Sequence, residues 1–313
     1  MTTVETAIAQ ENPLSIRGAL LWGAQVLSHA GIDNHRLDAE VLLRHVLDME
    51  KEQLYMNGDE PLSAAEEVKF RELLRQRSER EPVAYITGHQ EFWSQDFFVS
   101  PAVLIPRPET ELLVEVALQC VRRLATGSPV KVLDVGTGSG AISVCLAKEQ
   151  AASQIFAVDI SPVALDVARL NARRHGVADR IRFLPGDLLA PIKSLRTIFN
   201  LIVSNPPYIR SGELSLLAPE IREWEPTIAL DGGVDGIDSY CRIIEEGHRH
   251  LTTGGFIVLE IGADMASAVA DLFSRSGYYG PVSVYQDYAG KDRVIAAMKL
   301  LPSDAAPKSI SRG

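Results

Sequence analysis

Cysteine is scarce in this chain of 313 residues, and the few cysteines stand far apart. Cys120, Cys145 and Cys241 form no C-x-x-C pair, and none lies beside a histidine at metal-ligand spacing. The pattern predicts neither a bound metal nor a disulfide framework. We expect each thiol to behave as a small buried hydrophobic group.

Long apolar runs are missing as well. No window approaches the roughly 20 consecutive apolar residues that a membrane-spanning helix requires. Residues 1–11 include two acidic residues and no apolar run, whereas a secretory signal has an apolar core and a transit peptide is rich in arginine. These absences predict a cytoplasmic protein that has no membrane partner.

Positive charge is in deficit. The 31 Lys and Arg residues against 41 Asp and Glu give a net charge of −10, whereas a nucleic-acid binder draws much of its affinity from neutralising phosphates. We therefore predict no direct nucleic-acid partner. The candidates for a local basic surface are interpreted as solvated helix faces: Arg71, Arg75, Arg77, Arg80 and the run 248–250.

Hydrophobic residues make up 46% of the chain, which suffices for a sizeable core in one large or two ordinary domains. From residue 14 to about residue 80, apolar residues recur near the 3.6 period and indicate a helical region. Ser63, with Glu66 three residues later, predicts a capped helix start. The aromatic segment between Tyr85 and Leu104 is interpreted as a β-hairpin that connects this region to the next.

Strands and helices alternate in the remainder, which predicts a mostly parallel sheet covered on both faces. The predicted strands are 130–135, 155–158, 181–184, 198–203, 256–261, 282–285 and 293–298. The predicted helices are 141–150, 162–175, 238–251 and 265–276, with an earlier one after the Pro106–Glu111 turn. The predicted domains are a helical domain over 1–84, a hairpin linker over 85–105, an α/β domain over 106–300 and a disordered tail over 301–313.

The first predicted strand of the sheet ends in a glycine-rich loop, Asp134–Gly140, directly before a helix. Its glycines allow a tight turn and a close approach of the backbone to a ligand. The second strand ends in Asp159, where a carboxylate would bind ribose hydroxyls, although this residue could also cap the following helix. Both features suit NAD as well as S-adenosylmethionine, so they leave the cofactor open.

The fourth predicted strand ends in the run Asn205-Pro206-Pro207-Tyr208. Proline has a fixed φ and no N–H, so the run must form a stiff turn at the carboxyl end of the strand, where α/β proteins bind ligands. The Asn205 side-chain carbonyl and the Pro206 main-chain carbonyl can accept the two hydrogens of a planar –NH2 group, while Tyr208 stacks on its plane. Such a site leaves the nitrogen lone pair facing an electrophile.

This pair of acceptors discriminates between the two cofactors. An NAD enzyme has no use for acceptors around an –NH2 group, whereas an amino-methyltransferase does. The third predicted strand ends near Asp187, whose carboxylate could accept from an adenine amino group. S-adenosylmethionine is therefore the predicted cofactor.

Longer motifs give the chain a resemblance to the PrmC/HemK family of release-factor glutamine methyltransferases over nearly its whole length. The resemblance rests on Pro82–Gly88, Leu104–Glu111, Asp134–Gly140, Asn205–Tyr208, Leu230–Gly236 and Ala289–Arg293. It implies the α/β fold of the class I S-adenosylmethionine-dependent methyltransferases, which is Rossmann-like with a mostly parallel seven-stranded sheet. It also implies that the small helical domain docks a protein substrate.

The resemblance further implies transfer of the methyl group of S-adenosylmethionine to the Gln side-chain amide in the Gly-Gly-Gln motif of class 1 peptide chain release factors. Three alternatives stay open. They are methylation of a glutamine on a ribosomal protein, methylation of a DNA or RNA amino group, and a non-catalytic S-adenosylmethionine-binding module. The run Pro108–Glu111 favours the release-factor branch.

The predicted site residues fall into three groups. Catalysis is expected from Asn205, Pro206 and Tyr208, and substrate binding from the same residues with Pro207. Cofactor binding is expected from Gly136, Thr137, Gly138, Ser139, Gly140, Asp159, Asp187, Leu188 and Asn205. Leu188 stands where some family members have an aromatic residue, so its contact would be apolar packing only. Arg107 and Glu109 are equally compatible with a functional role and with a structural salt bridge.

Overall fold

The computed structural model describes residues 14–124 and 129–301. Contacts divide the chain into two compact units, one extending to Gly88 and including Pro219–Trp224, the other made of His89–Ala218 and the residues from Glu225 onward. No helix in the described ranges is long and apolar enough to cross a bilayer. Apart from Leu301, the predicted disordered tail lies outside the described residues.

The first unit is helical, as its 3.6 periodicity predicts. Its helices are α1 (Ile16–His29), α2 (His35–Leu47), α3 (Lys51–Met56), α4 (Ala64–Ser78) and α5 (Val83–Thr87). The predicted capping box is confirmed, because the Ser63 hydroxyl accepts from the Glu66 amide and the Glu66 carboxylate accepts from the Ser63 amide. A core of buried Leu, Ile, Ala and Phe side chains packs the first four helices together.

One of the arginines predicted to be solvated is instead buried. Arg77 is only 7% exposed, and its Nε donates to Asp38 at 2.7 Å. Its other nitrogens donate to Glu220, which lies in the short helix α9 (Pro219–Arg222). The interpretation was wrong for Arg77 because two carboxylates distant in sequence compensate its burial. It holds for Arg75, whose side chain is exposed and pairs with neighbours on its own helix.

The predicted hairpin is present, and it belongs to the second unit. Strands β1 (His89–Phe92) and β2 (Gln95–Phe98) pair antiparallel through a two-residue turn. The structure places the unit boundary at Gly88, four residues beyond the predicted one. The reason is that Val83–Thr87 adds a turn of helix, which Gly88 ends in the left-handed conformation.

The second unit is built on a seven-stranded sheet, counted over the described residues, with the order β5-β4-β3-β6-β7-β9-β8. Its strands are β3 (Val130–Val135), β4 (Ser153–Asp159), β5 (Ile181–Pro185), β6 (Phe199–Ser204), β7 (Leu251–Glu260), β8 (Ser283–Gln286) and β9 (Asp292–Met298). The first five run parallel, and β9 is antiparallel to both of its neighbours. The predicted mostly parallel sheet is therefore confirmed.

Helices cover both faces of this sheet, as the alternation predicts. One hydrophobic core joins the sheet to α6 (Glu111–Arg123), α7 (Ala141–Glu149) and part of α8 (Pro162–Arg174). The core on the opposite face includes α10 (Asp238–Gly247) and α11 (Ala266–Ser276). These two layers leave the carboxyl ends of the parallel strands as the edge where loops can form a site.

Candidate active site

The strand order reverses between β3 and β6. From β3 the chain continues to β4 and β5 on one side of β3, whereas β6 pairs with β3 on the other side. Ligands of open α/β sheets bind in the crevice at such a switch point. The glycine-rich loop follows β3 here, and the Asn205 turn follows β6. The Ser204 hydroxyl donates to the Val135 carbonyl at 2.6 Å and ties the two strand ends together.

The glycine-rich loop turns directly into α7. Gly140, the residue before the helix, has a φ of 82°, a left-handed conformation that favours glycine. A Cβ atom on it would lie 3.0 Å from the Ala168 Cβ and 3.1 Å from the Ala168 Cα of α8. Glycine is therefore needed at this position for backbone geometry and for close packing of the two helices.

A buried carboxylate braces this loop from inside the protein. Asp134 Oδ2 accepts from the Thr137 hydroxyl at 2.7 Å and from the Ser143 hydroxyl at 2.6 Å. Burial raises the pKa of Asp134 to about 6, although both hydroxyls act in the opposite direction. The Thr137 side chain thus stabilises the loop that contains it.

Asp159 ends β4 and faces the glycine loop. Its Oδ2 accepts from the Gly138 amide at 2.8 Å and its Oδ1 from the Ser161 amide at 2.9 Å. Burial raises its pKa, and these backbone donors act against that rise. The alternative role of helix cap was wrong for Asp159, since the Ser161 side chain caps α8 by accepting from the Ala164 amide.

The Asn205 turn leaves two acceptors without an internal partner. Asn205 Nδ2 donates to the Thr110 hydroxyl oxygen at 3.2 Å, and no described group donates to Asn205 Oδ1 or to the Pro206 carbonyl. Tyr208 is half-buried against the core beneath α10 and α11. A Cβ on Gly232 would lie 2.8 Å from the Tyr208 Cα, so glycine lets the following loop pack closely on this turn.

A cavity of about 240 Å³ joins these elements. The predicted site residues that line it are Gly136, Gly138, Asp159, Asp187, Leu188, Asn205 and Pro207. The other predicted residues are not among those that line it: Thr137, Ser139, Gly140, Pro206 and Tyr208. Further residues also face the cavity, among them Ile160 and Ile228, which were not predicted from the sequence, and Asp231, which was named only within the motif Leu230–Gly236. Their signal is weak, because Ile160 and Asp231 lie outside the helices and strands and Ile228 lies in a 3-10 helix of three residues.

At one end of the cavity the structure pairs Asp187 with Arg242. Both Asp187 oxygens accept from the guanidinium, at 3.1 and 2.5 Å. The Asp187 side chain is 45% exposed, so solvent reaches this pair. Leu188 is partly buried against the apolar residues below it. An adenine ring at this end would therefore meet apolar packing and a carboxylate that already has a partner.

Arg107, for which two roles were open, pairs with Glu225. The Glu225 side chain is 1% exposed and also accepts from the Ile105 amide at 3.2 Å. The pair joins the loop before α6 to the segment after the Asn205 turn. Arg107 thus forms a structural salt bridge, one of the two roles predicted for it.

We expect Arg107→Ala to lower the free energy of unfolding by about 2 kcal/mol, because it leaves the buried Glu225 carboxylate without its charge partner. Urea denaturation at pH 7.5 measures the effect. Arg17→Ala is the matched control, since it removes an exposed pair with Asp59 and should change stability by less than about 0.5 kcal/mol. Equal, small effects in both variants would contradict a structural role of the Arg107 pair.

Two models of known protein families match the chain. The model described as "PrmC N-terminal domain" matches residues 18–88, and the model described as "Methyltransferase small domain" matches residues 110–220. The first range falls within the helical unit. The second contains the glycine loop, Asp159 and the Asn205 turn.

Full-length relatives are similar over nearly the whole chain. The release factor glutamine methyltransferase of Geobacter sulfurreducens is 43% identical over 281 residues, covering 90% of this chain and 95% of the relative. That of Moorella thermoacetica is 41% identical over 286 residues, covering 91% and 99%. A bifunctional methyltransferase of Rickettsia conorii is 38% identical over 90% of this chain, which spans 57% of that longer protein.

Among solved structures, the catalytic domain of hMettl16, determined with an RNA hairpin, superimposes with a TM-score of 0.54. The match covers 71% of this chain and 81% of that one at 14% sequence identity. At this identity the similarity concerns the fold alone, and it agrees with the predicted methyltransferase fold.

Proposed function

This chain belongs to the release factor glutamine methyltransferase family, and from that premise we propose that it methylates the Gly-Gly-Gln glutamine of class 1 release factors in the cytoplasm. It is an S-adenosylmethionine-dependent protein-glutamine methyltransferase. The observation that carries the substrate assignment is the Asn205 turn. It presents two acceptors beside the cavity to which no group in the described part of the chain donates, which is what the two hydrogens of a primary amide require.

The residues around the cavity fit S-adenosylmethionine. Gly138 lines the cavity with a φ of 54°, and a Cβ on it would meet no atom within 4 Å, so the loop leaves this space open. Asp159 provides a carboxylate that can accept from ribose hydroxyls, and Leu188 provides an apolar surface for a ring. When bound, the cofactor supplies an electrophilic methyl group on a sulfonium.

The protein's own task is to position a poor nucleophile. An amide nitrogen is weakly nucleophilic because its lone pair is delocalised into the carbonyl. Asn205 Oδ1 and the Pro206 carbonyl each accept a hydrogen bond from one N–H of the substrate amide. Tyr208 packs beside the plane of that amide, so the nitrogen lone pair faces the cavity. The same acceptors stabilise the positive charge that develops on nitrogen. The proton then leaves to water, since the nitrogen becomes acidic once it is cationic.

Mass spectrometry of an unmethylated class 1 release factor, incubated with the protein and S-adenosylmethionine, tests the proposal. We expect a gain of one methyl group on the glutamine of the Gly-Gly-Gln motif. A release factor in which that glutamine is replaced by alanine is the control and should gain none. Methylation of a ribosomal protein or of nucleic acid instead would overturn the proposed substrate.

We also expect Asp159→Asn to raise the dissociation constant for S-adenosylmethionine about tenfold, because a charged acceptor for the ribose hydroxyls becomes neutral. Asp159→Ala should raise it further, since it also frees the Gly138 and Ser161 amides. Isothermal titration calorimetry measures both constants. Asp166→Asn is the control, because this carboxylate on α8 is 75% exposed. Unchanged affinity in both Asp159 variants would refute the ribose assignment.

A further inference from the structure

Glu260 is a buried carboxyl at the edge of the site, and the proposed chemistry gives it no task. It is the last residue of β7, and it is 1% exposed. Since Leu259 pairs with Ser204 of parallel β6, Glu260 and Asn205 extend side by side from the same end of the sheet. Its Oε2 has no hydrogen-bond partner among the described residues. A buried, incompletely satisfied carboxyl costs stability and therefore calls for a reason.

Thr110 connects Glu260 to Asn205. It is 5% exposed and precedes α6. Its hydroxyl oxygen accepts from Asn205 Nδ2 at 3.2 Å, and the hydroxyl lies near enough to the Glu260 carboxyl to lower the pKa of that carboxyl. The three side chains come from three separate segments of the protein and lie next to one another.

The chemistry of these three side chains fixes which group donates and which accepts in each hydrogen bond among them. An ionised carboxylate can only accept, and a threonine hydroxyl has a single hydrogen to donate. When Glu260 takes that hydrogen, Thr110 can only accept on its other side. Asn205 must then turn its –NH2 group to Thr110, which leaves Oδ1, the acceptor, toward the cavity. The opposite orientation would present N–H groups to a substrate –NH2 and could accept nothing from it.

We propose that Thr110 and Glu260 are positioning residues that hold the Asn205 amide with its carbonyl toward the substrate nitrogen. The inference rests on the proposed function, because it assumes that Asn205 Oδ1 accepts from the substrate amide. It goes beyond that function by assigning the orientation to two residues that do not touch the substrate.

The proposal implies that turnover depends on the charge of Glu260. Burial raises its pKa to about 7, the charge of Glu109 adds to the rise, and the Thr110 hydroxyl with Arg293 and Arg107 acts against it. Of the tyrosines facing it, Tyr208 and Tyr240 have pKa values raised by burial and stay neutral in this range. A protonated Glu260 could donate to Thr110, and Asn205 would lose its fixed orientation. We therefore expect kcat to fall as the pH drops below about 7.

Substitutions of Thr110 test the connection. Thr110→Val keeps the shape and removes the hydroxyl, so kcat should fall about tenfold to a hundredfold while the dissociation constant for S-adenosylmethionine stays within twofold. Thr110→Ser restores the hydroxyl and should recover most of the activity. Thr253→Val, on the exposed far end of β7, is the matched control and should resemble the wild type. Equal kcat values for the Val and Ser variants would overturn the proposal.

Glu260→Gln provides the second measurement. Its amide can donate to Thr110 at any pH, so kcat at pH 8 should fall and the decline below pH 7 should disappear. A variant that retains the wild-type pH profile would overturn the assignment to Glu260. The result is distinct from failure of the proposed function: in that case the wild type itself would not methylate the release-factor glutamine. Suppose that the wild type is active, that Asn205→Ala is inactive, and that Thr110→Val has the same kcat as the wild type. In that case only the positioning inference fails.

Discussion

Asn205→Ala should lower kcat for release-factor methylation about a hundredfold to a thousandfold while the dissociation constant for S-adenosylmethionine changes less than about threefold. The reason is that the proposed mechanism makes Asn205 Oδ1 one of the two acceptors that orient the substrate nitrogen, whereas the cavity proposed for the cofactor is also lined by Gly138, Asp159 and Leu188. Single-turnover kinetics with saturating release factor measures the first quantity, and calorimetry measures the second.

Asn205→Gln separates position from chemical type. It keeps the carboxamide and moves its carbonyl by one methylene, away from Thr110. If alignment carries the rate, this variant should be nearly as slow as Asn205→Ala. Equal losses in kcat and in cofactor affinity would instead assign Asn205 to cofactor binding and contradict its role with the substrate.

The fold was predictable where its determinants are local. The buried parallel strands appear as short apolar runs, and the turns between them carry Gly, Pro and Asn. The start of β7 was missed by five residues, because Leu251–Gly255 contains two glycines and two threonines and has no apolar run. The predicted helix over 238–251 accordingly ends earlier, at Gly247. The pairing of Leu251 with Phe199 of β6, which the local sequence does not encode, extends the strand.

The candidate site was predictable to the same degree. The glycine loop, Asp159 and the Asn205 turn each follow a strand, so parallel topology alone brings them to one edge. Thr110 and Glu260 carry no such signal. In the sequence, Thr110 is part of a proline-rich turn and Glu260 is the end of a strand. Their connection depends on a tertiary contact between Thr110 and Asn205, which are 95 positions apart.

Glu260 also affects the stability of the fold. Its negative charge lowers the free energy of unfolding, whereas the same charge is expected to favour turnover. The pKa of a glutamate is 4.5 before folding and about 7 at this buried position. Because folding raises the pKa, the folded state binds the proton more tightly than the unfolded state does. The stability contribution is complete below pH 4.5 and is lost as the pH rises through 7.

Glu260→Gln should therefore be more stable than the wild type above pH 7 and nearly equal to it near pH 4.5. The difference in the free energy of unfolding should grow to about 3 kcal/mol at pH 8, the equivalent of the raised pKa. Urea denaturation between pH 5 and pH 8 measures it, with Glu91→Gln as the control for an exposed glutamate. That variant should differ from the wild type by less than about 0.5 kcal/mol throughout.

The combination of outcomes in Glu260→Gln is what distinguishes a positioning carboxylate from a structural one. A carboxyl retained for packing would make the protein less stable when replaced, and activity would fall with the folded fraction. A carboxyl retained for orientation makes the protein more stable at pH 8 when replaced, yet slows turnover at full folding. A variant that loses stability at pH 8 would refute the charged, buried state of Glu260 on which the direction of the Thr110 hydrogen bond depends.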